Sequence, residues 1–395
     1  MNSSHPSETV RIASRMSNIA PFHVMEIQER AHQLEAQGRH IIHMEIGQPD
    51  FGAPQTVVEA AVTAMRSLPL AYTSALGIPA LRQAIASHYL EKFGVAVPAN
   101  TVVVTPGASG AFLLLLGMLV GPGDEVLMPD PCYPCNRHFV RLVDGIPLTI
   151  PVGPDRHYQL TLADVQAAWS PRSRGVLLAS PSNPTGTLIS PTELAAIAGW
   201  LKTRGGFLIV DEIYLGLTYD APPRTALELC AQNVFVVSSF SKYFCMTGWR
   251  LGWLVAPEIY MRDLEKLAQN FFICPSVPAQ YAALAAFTPE TIEVLESRKL
   301  EFLQRRELML PALREMGFSV AVNPGGAFYI YADCRSFGAD SREIARLALE
   351  KAGVAITPGL DFGDNGAASH VRFAYTSSID DLGEGLRRLR DLFHG

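Results

Sequence analysis

Between about residue 100 and residue 280 the chain alternates short apolar runs with longer stretches of helical spacing. The runs are "TVVV" (101–104), "EVLM" (125–128), "GVLLA" (175–179), "FLIV" (207–210), "VFVV" (234–237) and "LGWLV" (251–255). Each is short and rich in β-branched or large apolar residues, so each predicts a strand. Helical periodicity fills several of the gaps, as in "SPTELAAIAGWLKTR" at 190–204. Apolar strands separated by helices predict an α/β fold with a mostly parallel central sheet covered by helices on both faces. The most apolar stretch, "AFLLLLGMLV" at 111–120, stops at Gly121-Pro122. It is too short to cross a bilayer and predicts a buried helix.

The flanks have a different texture. Pro21 and Gly38 bracket a predicted helix over Phe22–Gln37. Beyond residue 280, charged helices (about 289–316) lead to strands near 318–322 and 327–333 and a helix at 341–352. Short strands near 353–357 and 370–375 and a helix at 379–393 complete a smaller α+β domain. The N-terminal helix and "IIHMEIGQPDF" have no place in the first sheet and are expected to pack with the C-terminal part. The expected division is a large domain over 50–280 and a small domain built from 1–49 and 281–395.

Composition narrows the function. A net charge of −6 without a basic block argues against nucleic-acid or acidic-membrane partners. The polar start "MNSSHPSETVRIASRMSN" lacks the apolar core of a signal peptide, so the cytoplasm is expected. Six cysteines scattered over 395 residues do not form a disulfide framework. Cys132 and Cys135 make a C-x-x-C followed by His138, but no second ligand pair completes a metal site. A redox pair and two reduced bystanders remain the alternatives.

In parallel α/β sheets ligands bind beyond the carboxyl ends of the strands. After "TVVV" come Gly107, Ala108 and Ser109 at a helix start, where free amides and the helix dipole suit a phosphate. An ordinary strand-to-helix turn would look the same. The loop lacks both the Walker lysine and GxGxxG. After "EVLM", Tyr133 lies in a proline-stiffened loop, able to stack on a flat ligand or simply to cover the core. After "GVLLA", Asn183 offers an amide to a ring oxygen, or serves the turn alone. After "FLIV", Asp211 is a carboxylate at a buried strand end that calls for a cation, unless it caps a helix. Tyr214 stands three residues on. After "VFVV", the stretch "SFSKYFCMTGWR" carries Ser239, Ser241, Lys242 and Arg250. Lys242, flanked by Phe240, Tyr243 and Phe244, is either a snorkelling surface amine or an amine tuned to attack a carbonyl. One rim would thus hold an anion cradle, a stacking ring, an acid, a phenol, a lysine and an arginine, the set that pyridoxal phosphate demands.

With these motifs in order, the chain resembles a class I/II aminotransferase, of the fold-type I pyridoxal-phosphate enzymes, from about Pro21 to the last helix. The carriers are "SFSKYFCMTGWRLGW", with S-x-S-K followed by G-x-R, together with "SPSNPTG", "DEIY" and "YTSALGIPALR" (72–82). The resemblance implies a seven-stranded type of central sheet and a Schiff base between Lys242 and the cofactor. It implies that Asp211 holds the pyridine nitrogen protonated, and that Asn183 and Tyr214 bond the phenolic oxygen. Tyr133 would stack on the ring, and Gly107, Ala108, Ser109, Ser239 and Arg250 would hold the phosphate. Tyr72 would reach the phosphate of a partner subunit in a homodimer. Gly47 and Arg372, with Asn183, would meet the substrate α-carboxylate. The implied reaction moves an amino group from an L-amino acid to a 2-oxo acid by a ping-pong route. Carbon–sulfur β-lyases and aminocyclopropane carboxylate synthases share the same cofactor site. Regulators on this fold carry an added basic DNA-binding region, which this chain lacks. Ser109 stands where some aspartate aminotransferases of this group place a lysine for the distal carboxylate, so a neutral or aromatic amino acid is expected.

Overall fold

The apolar runs pair with one another as their pattern predicts, and one further strand joins them. A computed structural model describes residues 10–338 and 340–394. Its strands are β1 (Ile42–His43), β2 (Val102–Thr105), β3 (Glu125–Asp130), β4 (Ile146–Pro151), β5 (Ser173–Ala179) and β6 (Phe207–Asp211). They continue with β7 (Val234–Ser239), β8 (Gly252–Val255), β9 (Tyr329–Asp333), β10 (Val354–Ala355), β11 (Thr357–Pro358) and β12 (His370–Ala374). Seven of them form the central sheet in the order β2-β8-β7-β6-β5-β3-β4. Only β8 runs antiparallel to its neighbours.

The seventh strand, β4, has no counterpart among the apolar runs read from the sequence. It is "IPLTIP", half-exposed at the sheet edge and pairing only with β3. An edge strand tolerates proline because one side of its backbone needs no ladder partner, so it lacks the signature of a buried strand.

The helices are α1 (His23–Ala36), α2 (Gln55–Ser67), α3 (Pro79–Phe93), α4 (Gly107–Leu119), α5 (Pro134–Leu142) and α6 (Leu162–Ala168). They continue with α7 (Pro191–Thr203), α8 (Met261–Phe271), α9 (Val277–Leu284), α10 (Pro289–Glu315), α11 (Ser341–Leu347) and α12 (Ile379–His394). Local chemistry sets several boundaries. At α7, the Ser190 hydroxyl accepts the Glu193 amide at 3.1 Å, with Pro191 at the first helical position. α4 packs against β7, β8 and α8 on one face of the sheet, burying Phe112, Leu114, Leu115 and Leu116. α6 and α7 cover the other face, where Ile197 and Leu201 meet Val176 and Leu208. Among the described residues no helix is long and apolar enough to cross a membrane.

β1 stays out of the central sheet and pairs in parallel with β10, Ile42 opposite Val354. β11, β12 and β9 make a separate antiparallel sheet. Two expectations are corrected here. "FSVAV" (318–322) is not a strand: Ser319 makes a single bridge to Asp333, since Gly317 and Pro324 leave too short a segment to extend the ladder. The strand expected at 353–357 is divided between β10 and β11, which serve different partners. The charged region from 289 is one continuous helix, α10, which carries Pro311 inside it.

Candidate active site

β5, β6 and β7 are adjacent, parallel and nearly in step: Ala179 lies opposite Asp211, and Asp211 opposite Val237. Their carboxyl ends therefore leave the sheet along one edge. A cavity of about 450 Å³ opens there. Of the residues singled out by the sequence, Gly47, Ala108, Ser109, Tyr133, Asn183 and Asp211 line it. So do Tyr214, Ser239, Lys242, Arg250 and Arg372.

Lys242 is half-buried and donates a 2.6 Å hydrogen bond to the Gly47 carbonyl. Its amine also lies 5.8 Å from the centre of the Tyr214 ring and 5.9 Å from that of Phe328. Burial lowers its pKa to about 8, and the nearby Arg372 and Arg250 cations add to the effect while Asp211 opposes it. An amine so placed reaches its neutral, nucleophilic form close to physiological pH.

Asp211 ends β6 and is buried. The one hydrogen bond to its carboxylate among the described residues comes from the Ile213 amide, 3.1 Å away. Burial therefore raises its pKa to about 7, against the pull of that amide and of Lys242. The neighbouring Glu212 is buried too, but it faces away and accepts from Thr225 Oγ1 (2.8 Å) and the Ala226 amide (2.6 Å). Asp211 thus lacks what Glu212 has, a full set of donors.

The anion end of the cavity is built by close backbone approach. Gly107 has φ +69°, and a Cβ there would lie 2.8 Å from Arg250 Nη2. No side chain caps α4, so its first-turn amides keep their donor capacity toward the cavity. A Cβ on Gly252 would come within 2.7 Å of the Gly107 carbonyl carbon, so β8 can lie against this turn only with glycine there. Ser239 Oγ accepts the Ser241 amide and donates to the Leu251 carbonyl, both at 3.1 Å, which ties the lysine turn to the arginine strand.

At the opposite end, Arg372 is 4% exposed and its Nη1 donates to Asn183 Oδ1 at 2.9 Å. Nη2 donates to the Glu45 carbonyl and to Thr357 Oγ1. The guanidinium lies against the Tyr329 and Phe362 rings, 4.3 Å and 4.8 Å from their centres. Its Nε is buried without a partner. The family of aminotransferases of class I and II matches residues 39–389 of the chain.

The chain belongs to that family.

The aminotransferase is 42% identical over 382 residues to the valine–pyruvate aminotransferase of Mycobacterium tuberculosis, covering 96% of this chain and 98% of the relative. It is 32% identical over 390 residues to the aspartate aminotransferase of Geobacillus stearothermophilus, covering 96% and 98%. A crystal structure of an aminotransferase from Mycobacterium tuberculosis superposes with a TM-score of 0.94 at 41% identity, covering 98% of this chain and all of that one. The fold is that of the fold-type I enzymes, and the cofactor of the family is pyridoxal phosphate.

The residues present fit that cofactor. A buried acid short of donors suits a protonated ring nitrogen, and a glycine turn with an uncapped helix and a guanidinium suits a phosphate. An amine lowered to about 8 suits a Schiff base. Two predicted residues lie outside the cavity wall. Gly107 sits just behind it, against Arg250. Tyr72 is 81% exposed and does not approach the cavity of its own chain.

Sequence reasoning missed Tyr329, Glu45 and the first turn of α1. Phe22, Val24 and Met25 reach the cavity because the Asp361 carboxylate accepts the His23 and Val24 amides at 2.7 and 2.8 Å, fixing the helix start. Nothing in the local sequence of "AFYIYAD" distinguishes Tyr329 from an ordinary strand aromatic. The cysteines of the C-x-x-C are both free; burial raises the Cys132 thiol to about 12, which keeps it a poor nucleophile. Among the described residues no cluster of His, Cys, Asp and Glu could hold a metal ion.

Proposed function

We propose that this aminotransferase transfers the amino group of a neutral or aromatic L-amino acid to a 2-oxo acid by a ping-pong route, as a homodimer. The observation that carries the substrate class is the charge of the cavity wall. Its cations among the described residues are Lys242, Arg250 and Arg372. Arg250 belongs to the phosphate end and Arg372 to the α-carboxylate, so a distal carboxylate would meet no counter-ion from this chain. Phe22, Val24, Met25, Phe112 and Phe139 supply apolar surface instead. Similarity to the valine–pyruvate enzyme supports this reading over similarity to the aspartate enzyme.

The roles follow from the chemistry of each group. Bound pyridoxal phosphate supplies an electrophilic aldehyde and an electron sink. Arg372 grips the substrate carboxylate with a planar fork already oriented by Asn183 and the Glu45 carbonyl. With its amine free, Lys242 would serve as general base for the substrate Cα proton and as general acid toward the cofactor's aldehyde carbon. Asp211 keeps the ring nitrogen protonated. Tyr214 and the Asn183 amide donate to the ring oxygen, Asn183 Oδ1 being engaged by Arg372. Tyr133 stacks on the ring, while the Gly107–Ser109 amides, Ser239 and Arg250 hold the phosphate. The exposure of Tyr72 supports its service to a second subunit.

A panel of single half-reactions with amino-acid donors tests the substrate class. Valine, alanine, leucine or phenylalanine should react faster than aspartate, and aspartate reacting fastest would overturn the assignment. Initial-rate lines that intersect, or release of ammonia or thiol with pyruvate, would overturn amino transfer by double displacement.

A further inference from the structure

Tyr329 stands where the two ends of the cavity meet. It is 1% exposed, and its hydroxyl lies 2.8 Å from the Tyr214 hydroxyl. Its ring meets the Tyr214 ring edge-on at 5.6 Å and supports the Arg372 guanidinium at 4.3 Å. An ideal Cβ on Gly47 would fall 1.9 Å from the Tyr329 oxygen, so the hydroxyl fills the space that glycine leaves. One residue therefore touches the phenol at the ring end, the guanidinium at the carboxylate end, and the segment whose carbonyl receives Lys242.

We infer that Tyr329 is a positioning residue that donates its hydroxyl proton to Tyr214, leaving the Tyr214 proton free for the cofactor's ring oxygen, while its ring orients Arg372. The inference rests on the roles proposed above for Tyr214 and Arg372. Only one of the two phenolic protons can lie between the two oxygens. If Tyr214 donated to Tyr329, its proton would be engaged and its oxygen would face the cavity as an acceptor.

Charge decides the direction. The groups facing the pair are Arg372 on β12, Tyr133 before α5 and Lys242 after β7, while Asp211 at the end of β6 lines the same cavity. Arg372 lies directly on the Tyr329 face, so it favours loss of the Tyr329 proton over that of Tyr214. Burial pushes Tyr214 well above its ordinary value; it also raises Tyr329, but there the Arg372 cation is the next influence and works against burial. The more acidic phenol is the better donor, and a phenol that accepts a hydrogen bond becomes a stronger donor in turn.

The consequence is readable without turnover. A proton donated to the ring oxygen helps most once the Lys242 nitrogen, linked to the cofactor, has lost its own proton. Donation therefore lowers the pH midpoint of the holoenzyme's visible absorption. Tyr214→Phe should raise that midpoint by about one unit, and Tyr329→Phe should raise it by about half a unit, as expected for hydrogen bonds to a charged oxygen. The Tyr214→Phe/Tyr329→Phe double variant should shift no further than Tyr214→Phe alone, because Tyr329 acts through Tyr214. Tyr329→Phe keeps the ring and should leave KM for the amino acid within about twofold, whereas Tyr329→Leu should raise it about tenfold by removing the support of Arg372. An unchanged midpoint in Tyr329→Phe, with Tyr214→Phe shifted, would overturn the inference alone. An unchanged midpoint in Tyr214→Phe would overturn the underlying role of Tyr214, and the inference with it. Additive shifts in the double variant would overturn action through Tyr214, and equal KM values in Tyr329→Phe and Tyr329→Leu would overturn the role of the ring.

Discussion

The Lys242 amine donates to the carbonyl of Gly47 at 2.6 Å, joining the turn after β7 to the segment after β1 across 195 residues of sequence. The partner is a neutral oxygen, so no carboxylate offsets the charge of the ammonium directly. That leaves burial as the first influence on Lys242 and lowers it to about 8.

This has a stability consequence. An unfolded lysine titrates near 10.4, so between about 8 and 10 the unfolded chain binds a proton that the folded chain does not. The cofactor-free protein therefore gains stability as pH rises through that window, and it carries the full penalty of a charged Lys242 below it. Lys242→Met should raise stability near pH 7 by about 1–2 kcal/mol, allowing for partial exposure, and should abolish transamination. Thermal unfolding of both proteins across the window checks this. A gain of the same size at high pH would contradict it.

Asp211 predicts a slope of the opposite sign. Its folded pKa, about 7, lies above the unfolded value, so the folded chain holds the proton longer. Cofactor-free protein should lose stability as pH rises from about 4 to about 7, and Asp211→Asn should flatten that part of the profile. Glu212, raised to about 8, titrates in both proteins, so the difference between them isolates Asp211. Saturating pyridoxal phosphate should remove Asp211's share of the slope in the wild type by supplying a cation, leaving the share that Glu212 contributes. Denaturant titrations with and without the cofactor test both statements, and a saturated wild-type slope still steeper than that of Asp211→Asn would count against the ring-nitrogen partner.

Gly47 is predicted to tolerate no side chain. Gly47→Ala places a carbon 1.9 Å from the Tyr329 hydroxyl and displaces the carbonyl that receives Lys242. A shift of that size at the reacting groups should lower kcat/KM by about a hundredfold. Gly199, in the exposed middle of α7 with nothing within 4 Å of its Cβ position, is the control. Gly199→Ala should leave kinetics unchanged and add about 0.5–1 kcal/mol of stability.

Arg372→Lys should expose the need for a planar fork. Lysine cannot serve Asn183 and the Glu45 carbonyl together, nor lie flat on Tyr329. KM for the amino acid should rise about a hundredfold, with a smaller fall in kcat. The decarboxylated amine, which offers no carboxylate, should react equally with both proteins. A comparable loss with that amine would point to a general disturbance of the cavity.

The chain's local order settles much of this enzyme. Apolar runs between helices imply a parallel sheet, and a parallel sheet delivers its strand ends to one edge, so the residues following each run meet without further information. Lys242, Asp211, Tyr214, Asn183, Tyr133, Ser239 and Ser109 reach the cavity for that reason. β4 escaped because edge exposure and two prolines erase the periodic signal. Tertiary structure alone decides the rest. The Arg372–Asn183 and Lys242–Gly47 bonds span 189 and 195 residues, and Tyr329 reaches Tyr214 across 115. Such contacts depend on how the smaller sheet packs over the strand ends. So does the pKa of Lys242, since burial and the fields of Arg372 and Arg250 exist only once distant segments have excluded water from the same space.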